Sequence, residues 1–121
     1  MFNIILASKS KVREEILKKN NINCQVVPSN IDEDVIKKSL QKEKAPPEII
    51  SKNLAEIKAN KVSINKPDEI VIGADSVISL NNEIISKPTN RTEAFKILKK
   101  LNNKEHYLIS SVCISKNGNM I

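Results

Sequence analysis

The sequence predicts an α/β fold. Short apolar runs rich in β-branched residues alternate along the chain with amphipathic stretches of helical periodicity, the pattern expected for strands connected by helices. The chain has 121 residues, of which 40% are hydrophobic and 28% charged, a size and balance typical of one globular domain. Because the chain holds two Phe, one Tyr and no Trp, its core must be built mainly from Ile, Leu and Val.

The first half of the chain predicts two strands and three helical stretches. Pro28-Ser29-Asn30 interrupts the second apolar run, and the acidic cluster Asp32-Glu33-Asp34 opens a weakly helical stretch. Pro46-Pro47 supplies the start of the most regular helix. Besides the weak helical stretch, we expect a strand over residues 3–7, a helix over Lys11–Lys19, a strand over residues 24–27 and a helix over residues 46–61.

The second half of the chain predicts a buried strand, a hairpin, a helix and a final strand. The apolar run over residues 70–75 is expected to end in a small-residue turn at Gly73-Ala74, followed by Asp75. Asn81-Asn82 tolerates positive φ, which favours a hairpin between two short strands. A helix over residues 92–101 and a strand over residues 106–115 follow. The sequence stops where a partner for this strand should begin, so we expect missing sequence or pairing between two chains in a homodimer.

Composition and charge exclude several classes of function. The few aromatic residues cannot form a stacking platform for a single-stranded nucleic acid, and the net charge of +6 is spread along the chain as on a Lys-rich surface. Cys24 and Cys113 lie outside any zinc-binding spacing and are expected to be reduced thiols. No apolar run of the sequence has the length of a signal peptide or a membrane span. We therefore expect a cytoplasmic protein with neither a nucleic acid polymer nor a membrane as partner.

The first strand-to-helix turn, over residues 6–13, has the chemistry of a phosphate site. If Ser10 caps the helix, Lys11 and Arg13 lie in its first turn, where the helix dipole disfavours cations unless an anion is bound nearby. The turn offers backbone N–H groups, the hydroxyls of Ser8 and Ser10, and a guanidinium that can hold phosphate through two hydrogen bonds. The alternative is an ordinary Ser cap whose neighbouring cations are neutralised by the two glutamates that follow.

Two carboxylates and two lysines are further candidates for a site. Asp75 could ligate a divalent metal or take a proton from an attacking water, or it could merely cap a turn. Glu33 could supply a hard oxygen ligand for Mg²⁺ or Mn²⁺, although a run of three acids commonly just faces water. Lys58 and Lys87 could each offer a point charge to a triphosphate, or be surface lysines.

Six motifs follow one another along the chain. They are Leu-Ala-Ser-Lys-Ser-x-x-Arg, Asp32-Glu33, Leu54-Ala55-x-x-Lys58-Ala59, Ile72-Gly73-Ala74-Asp75-Ser76-Val77, Lys87-Pro88 and His106-x-x-x-Ser. In this order they resemble the Maf-like nucleotide pyrophosphatases of the Maf/Ham1 superfamily. The resemblance implies the Maf/Ham1 (ITPase-like) fold, with a mixed, twisted sheet flanked by helices. It also implies that residues 1–121 form a single domain, incomplete because it lacks the usual C-terminal segment with a phosphate-contacting Gln.

The resemblance implies hydrolysis of a nucleoside triphosphate between the α and β phosphates, which yields a monophosphate and pyrophosphate. The substrate is expected to be a non-standard or pyrimidine NTP or dNTP. Glu33 and Asp75 are expected to hold a divalent metal, Mg²⁺ or Mn²⁺, and Asp75 to act as general base. The residues expected to contact the phosphates are Ser8, Ser10, Arg13, Lys58 and Lys87.

The chain departs from the family pattern in three places. The usual Ser-Pro-Arg-Arg is replaced here by Ser with Lys11-Val12-Arg13, and a lysine ammonium cannot reproduce the lost guanidinium fork. Asn90 replaces a common Asp, and Ser110-Ser111 replaces a usual Thr-Gly. An alternative function therefore stays open, namely a non-catalytic protein of this fold that binds nucleotides and regulates septum formation, the role for which the family was first named.

Overall fold

The computed structural model describes residues 4–121, so the predicted strand position at Asn3 lies outside the described residues. In chain order the strands are β1 (Ile4–Leu6), β2 (Cys24–Val26), β3 (Ile70–Leu80), β4 (Glu83–Ile85), β5 (Tyr107–Lys116) and β6 (Asn119–Met120). The helices are α1 (Lys11–Lys19), α2 (Glu33–Lys42), α3 (Pro47–Ile64) and α4 (Arg91–Leu101). The order of elements agrees with the sequence prediction except that the buried strand and the first strand of the hairpin form one continuous strand, β3. Most of the other ends shift by only one to three residues.

The six strands form one mixed sheet. Their order is β2-β1-β3-β5-β6, and β4 pairs with the far end of β3. Strand β1 runs parallel to β2 and β3, whereas the pairs β3–β4, β3–β5 and β5–β6 are antiparallel. The expectation of a mixed sheet with flanking helices is therefore confirmed.

The core lies between α3 and the centre of the sheet. Pro47 opens α3 at a position where a missing N–H costs nothing, as the sequence predicts. The helix buries Ile50 and Leu54 almost completely. At Gly73 the helix lies directly on β3, since an added Cβ would come within 2.3 Å of the Ala55 carbonyl oxygen. This close approach brings the next turn of α3, with Lys58, over the middle of the strand.

Strand β5 has its main partner within the chain. It pairs antiparallel with β3 over a register that runs from Val71↔Ser115 to Ser79↔Tyr107, and the turn at Asn117-Gly118 returns the two-residue β6 along its other edge. The hairpin partner expected after this turn is thus supplied for only Ser115 and Lys116 among the described residues, which agrees with the expectation that a full second strand is not supplied. The other edge of β5 is paired along most of its length, because β3 continues well past the end of β1.

The turns use asparagine where the backbone turns left-handed. Asn81 and Asn82 have φ values of 53° and 64°, which confirms the predicted hairpin between β3 and β4. Asn90 caps α4 by accepting a hydrogen bond from the backbone N–H of Glu93 at 2.9 Å. Since Asn and Asp are equally good caps, the departure from the family pattern at Asn90 preserves the start of this helix.

Two further observations concern the cysteines and the helices of the described residues. Cys24 and Cys113 are free thiols, as their spacing indicates. Among the helices within residues 4–121, none combines the length and apolarity needed to cross a membrane.

Candidate functional site

Asp75 lies inside β3 rather than after its end. The predicted turn at Gly73-Ala74 is wrong, because pairing with β5 keeps the strand extended from Ile70 to Leu80. The parallel neighbour β1 stops at Leu6, opposite Ile72. Asp75 therefore lies just beyond the carboxyl end of β1, and this edge is where ligands bind in open α/β sheets.

The end of β1 leaves the carbonyl oxygen of Ala74 to be satisfied by side chains. The last backbone bond on this edge runs from the Ala7 N–H to the Ile72 carbonyl oxygen at 2.8 Å. Two residues further along β3, the Ala74 carbonyl oxygen accepts hydrogen bonds from Arg13 Nη1 at 3.2 Å and from Lys58 Nζ at 3.4 Å. Two cations from different helices thus meet at one main-chain oxygen.

Lys58 joins the two predicted metal-ligating carboxylates. Its ammonium forms ion pairs with Glu33 Oε1 and with Asp75 Oδ1, the latter at 3.2 Å. Asp75 is only 4% exposed, and its second oxygen, Oδ2, has no hydrogen-bond partner among residues 4–121. Asp75 is held further by Ser51, whose hydroxyl donates to the Asp75 carbonyl oxygen at 3.2 Å.

The charge of Glu33 is stabilised by the surrounding lysines. Partial burial raises the pKa of the Glu33 carboxyl, but the hydrogen bond and positive charge of Lys58, with smaller contributions from Lys87 and Lys37, outweigh burial and hold that pKa below its usual range. Glu33 is thus a carboxylate at neutral pH, at the first turn of α2 behind the Asp32 cap.

The first strand-to-helix turn is organised around Ser8, Ser10 and Arg13. Ser10 caps α1 by accepting from the Arg13 N–H at 3.3 Å, as predicted. Ser8 Oγ accepts from the Ser10 N–H and from Arg13 Nη1, each at 3.1 Å. Three hydrogen bonds of the guanidinium go to Ser8, Ala74 and Ser76, which leaves two of its five N–H groups for a ligand.

The predicted site residues lie around one cleft of about 430 Å³. Its lining includes four cations and one carboxylate, so its surface favours an anion. Asp75 does not line the cleft itself but forms an ion pair with Lys58, which does. The residues that line the cleft are Ala7, Ser8, Lys9, Ser10, Arg13, Ser29, Asn30, Ile31, Glu33, Lys58 and Lys87.

Two features of the cleft differ from the sequence interpretation. The lining includes Lys9 but not Lys11, so the extra lysine at the cleft precedes Ser10 and is not the one next to Val12, where the family pattern has arginine. A larger cavity of about 550 Å³ lies near Pro46 and Asn82, but no predicted site residue lines it. We therefore take the smaller, charged cleft as the candidate site.

The sequence interpretation missed Ser76 and Ser110. Ser76 Oγ accepts from Arg13 Nη2 at 3.4 Å and lies 2.8 Å from Ser110 Oγ, its partner across β3 and β5. Neighbouring side chains on a strand point to opposite faces. Asp75 and Ser76 therefore connect β3 to Lys58 on one face and to Arg13 on the other. Both residues stand in motifs named above, Ser76 beside Asp75 and Ser110 in His106-x-x-x-Ser, but neither was assigned a role.

The sequence of the chain is similar to those of known proteins. The sequence pattern of the family described as Maf-like protein matches residues 3–120. The chain is 64% identical over 118 residues to a nucleoside triphosphate pyrophosphatase of Pelagibacter ubique, with 98% of this chain and 60% of the relative covered. It is 40% identical over 111 residues to a dTTP/UTP pyrophosphatase of Thermosipho africanus, with 92% of this chain and 53% of the relative covered.

The fold comparison agrees with the sequence comparison. A HAM1 protein from Coxiella burnetii superimposes with a TM-score of 0.61 at 12% identity, covering all of this chain and 68% of that protein. At this identity the likeness concerns the fold alone, and it confirms the expected Maf/Ham1 (ITPase-like) architecture. The chain spans 60% or less of the length of the curated relatives named above. From the match over residues 3–120 and the shared fold, the chain belongs to the family of Maf-like proteins.

Proposed function

We propose that the chain carries the phosphate-binding and catalytic side of a nucleoside triphosphate pyrophosphatase. A single observation supports this most strongly. One cleft brings together hydroxyls and cations from separate segments, above a buried carboxylate that has one oxygen without a hydrogen-bond partner within residues 4–121. Relatives bear the names nucleoside triphosphate pyrophosphatase, dTTP/UTP pyrophosphatase and 7-methyl-GTP pyrophosphatase. The substrate class proposed is a non-standard or pyrimidine NTP or dNTP.

The donor atoms near the cleft suit a hard divalent cation. Asp75 Oδ2 is buried and unpartnered among the described residues, and Glu33 converges on the same ammonium as Asp75. Within residues 4–121 no group of three or more His, Cys, Asp or Glu could hold a metal. Mg²⁺ is commonly held by one or two carboxylates together with substrate phosphates. Glu33 and Asp75 would therefore hold Mg²⁺ or Mn²⁺, which lowers the pKa of a bound water and polarises phosphoryl oxygens.

The residues of this chain have distinct tasks in the proposed reaction. Arg13 offers its two remaining N–H groups to the phosphates, and Lys87 adds a point charge from the cleft wall. Ser8 and Ser10 place their hydroxyls at the N-terminus of α1, where the helix dipole favours an anion. Asp75 accepts the proton of the attacking water at Oδ2. The cations neutralise the charge that develops on the leaving pyrophosphate.

The test is a nucleotide panel with product identification. The purified chain is incubated with standard and modified NTPs and dNTPs in Mg²⁺ or Mn²⁺, and monophosphate and pyrophosphate are quantified. We expect the two products in equal amounts from at least one nucleotide. Nucleotide-dependent thermal stabilisation without any turnover would instead support the non-catalytic regulator of septum formation. Neither turnover nor stabilisation would contradict both functions.

Arg13→Lys tests the guanidinium fork. We expect KM for the best nucleotide to rise roughly tenfold, equivalent to about 1.4 kcal/mol, because an ammonium cannot bind phosphate through two hydrogen bonds while also holding Ser8 and Ser76. Arg91→Lys at the exposed start of α4 is the matched control and should leave KM unchanged. Equal KM values for wild type and Arg13→Lys would exclude this role of Arg13.

The proposal also covers the cellular location, the partners and the oligomeric state of the protein. Nucleoside triphosphates are soluble metabolites, so we propose a cytoplasmic protein whose partner is the nucleotide rather than a nucleic acid polymer or a membrane. The homodimer expected from the sequence is kept as a proposal, and size-exclusion chromatography with light scattering tests it.

A further inference from the structure

We infer that the Lys58 ammonium occupies the metal site and excludes a divalent cation from it until a triphosphate binds. Before that, its ammonium lies between Glu33 and Asp75, and a divalent cation binds these carboxylates only together with the anionic phosphates that draw Lys58 away. The inference rests on the proposed function, because it assigns an order of binding to the same site.

The first support is the hydrogen-bonding capacity of Lys58. An ammonium has three N–H donors, and the acceptors of Lys58 are Glu33 Oε1, Asp75 Oδ1 and the Ala74 carbonyl oxygen. All three donors are therefore used within the protein. For Lys58 to bind a phosphate, at least one of these bonds must break, and the carboxylates are the partners that a metal could replace.

The second support is the position and charge of the group. The Lys58 side chain is 8% exposed and that of Asp75 is 5% exposed, so their charges are poorly screened by solvent. A divalent cation beside the ammonium would be repelled, whereas the same cation in place of the ammonium would meet two carboxylates. The approach of a polyanion reverses this preference, because Lys58 then gains phosphate acceptors and the carboxylates gain the metal.

The third support is what the arrangement does to Asp75. With Lys58 in place, Oδ1 is bound to the ammonium, and Oδ2 is buried with no partner in the part of the chain that the structure describes. Movement of Lys58 toward the cleft, which it already lines, would open the path from solvent to both oxygens. The carboxylate that accepts the proton is thus made accessible by the substrate that it acts upon.

The experiment measures Mn²⁺ binding without nucleotide. The fraction of free Mn²⁺ is followed by electron paramagnetic resonance during titration of wild type, Lys58→Met and the control Lys52→Met, whose lysine is exposed on the same helix. We expect Lys58→Met to bind Mn²⁺ about tenfold more tightly than wild type, within the usual range of coupling between sites. Lys52→Met should bind as wild type does. Equal affinity of wild type and Lys58→Met would overturn the inference.

A second variant and a nucleotide analogue complete the experiment. If Lys58→Met does not fold, Lys58→Gln replaces it, since the amide is neutral and can still donate to one carboxylate. In wild type, a non-hydrolysable α,β-methylene triphosphate should tighten Mn²⁺ binding, and tight binding of Mn²⁺ alone would overturn the inference. Because these arms need no turnover, their outcome is separate from that of the product assay, which tests the proposed function.

Discussion

Replacement of Asp75 by Asn is expected to lower kcat for triphosphate hydrolysis by about 10²- to 10⁴-fold, the usual contribution of a general base. The amide keeps the shape of the side chain but cannot accept a proton from water at Oδ2, the oxygen that has no partner among residues 4–121. The measurement is steady-state release of pyrophosphate with the nucleotide that the panel identifies.

The control for this variant is Asp34→Asn, which removes an exposed acid near the start of α2. It should keep wild-type kcat, because Asp34 does not line the cleft. Thermal unfolding of both variants shows whether Asp75→Asn is folded, since the change also removes a partner of Lys58. A folded Asp75→Asn with wild-type turnover would contradict both the assignment of Asp75 and the mechanism built on it.

Gly73→Ala is expected to destabilise the fold by about 3 kcal/mol, at the upper end of overpacking effects. The added Cβ would lie 2.3 Å from the Ala55 carbonyl oxygen and 2.7 Å from the Ala59 nitrogen. Both atoms belong to the backbone of α3, which cannot move aside without lifting from the sheet. Differential scanning calorimetry should show a melting temperature lower by on the order of 10 °C.

A double variant distinguishes the backbone clash from a side-chain clash. The third close contact of the added Cβ is with Ala59 Cβ at 2.8 Å. Ala59→Gly removes this contact but leaves the two backbone atoms in place, so the double variant Gly73→Ala/Ala59→Gly should be no more stable than Gly73→Ala alone. Restoration of wild-type stability in the double variant would show that the helix backbone does not set the distance.

Local features of the fold were predictable because their causes are local. The Ser10 cap, the Pro47 start of α3 and the Asn81-Asn82 hairpin each depend on residues within a few positions of one another. The prediction of a turn at Gly73-Ala74 was wrong for a different reason. Gly73 does not bend the strand but lets α3 pack closely against it, and close approach of another backbone is a known role of a glycine within a strand.

The ordered motifs predicted which residues lie near the candidate site, but not how their side chains contact one another. The sequence grouped Ser8, Arg13, Glu33, Lys58 and Asp75 by resemblance, and the structure brings them to one cleft or directly beneath it. That Lys58 lies between the two carboxylates follows from how α2 packs against α3 and how α3 packs against β3. Such a placement depends on packing between distant parts of the chain, which spacing within a motif does not encode.

The Ala74 carbonyl oxygen, where Arg13 and Lys58 meet, has a consequence for how the site can evolve. A main-chain oxygen is present whatever residue stands at position 74, so mutation there can alter packing but cannot delete the acceptor. Arg13 and Lys58 therefore keep this shared acceptor even when a side-chain partner, such as Ser76 for Arg13 or Asp75 for Lys58, is substituted.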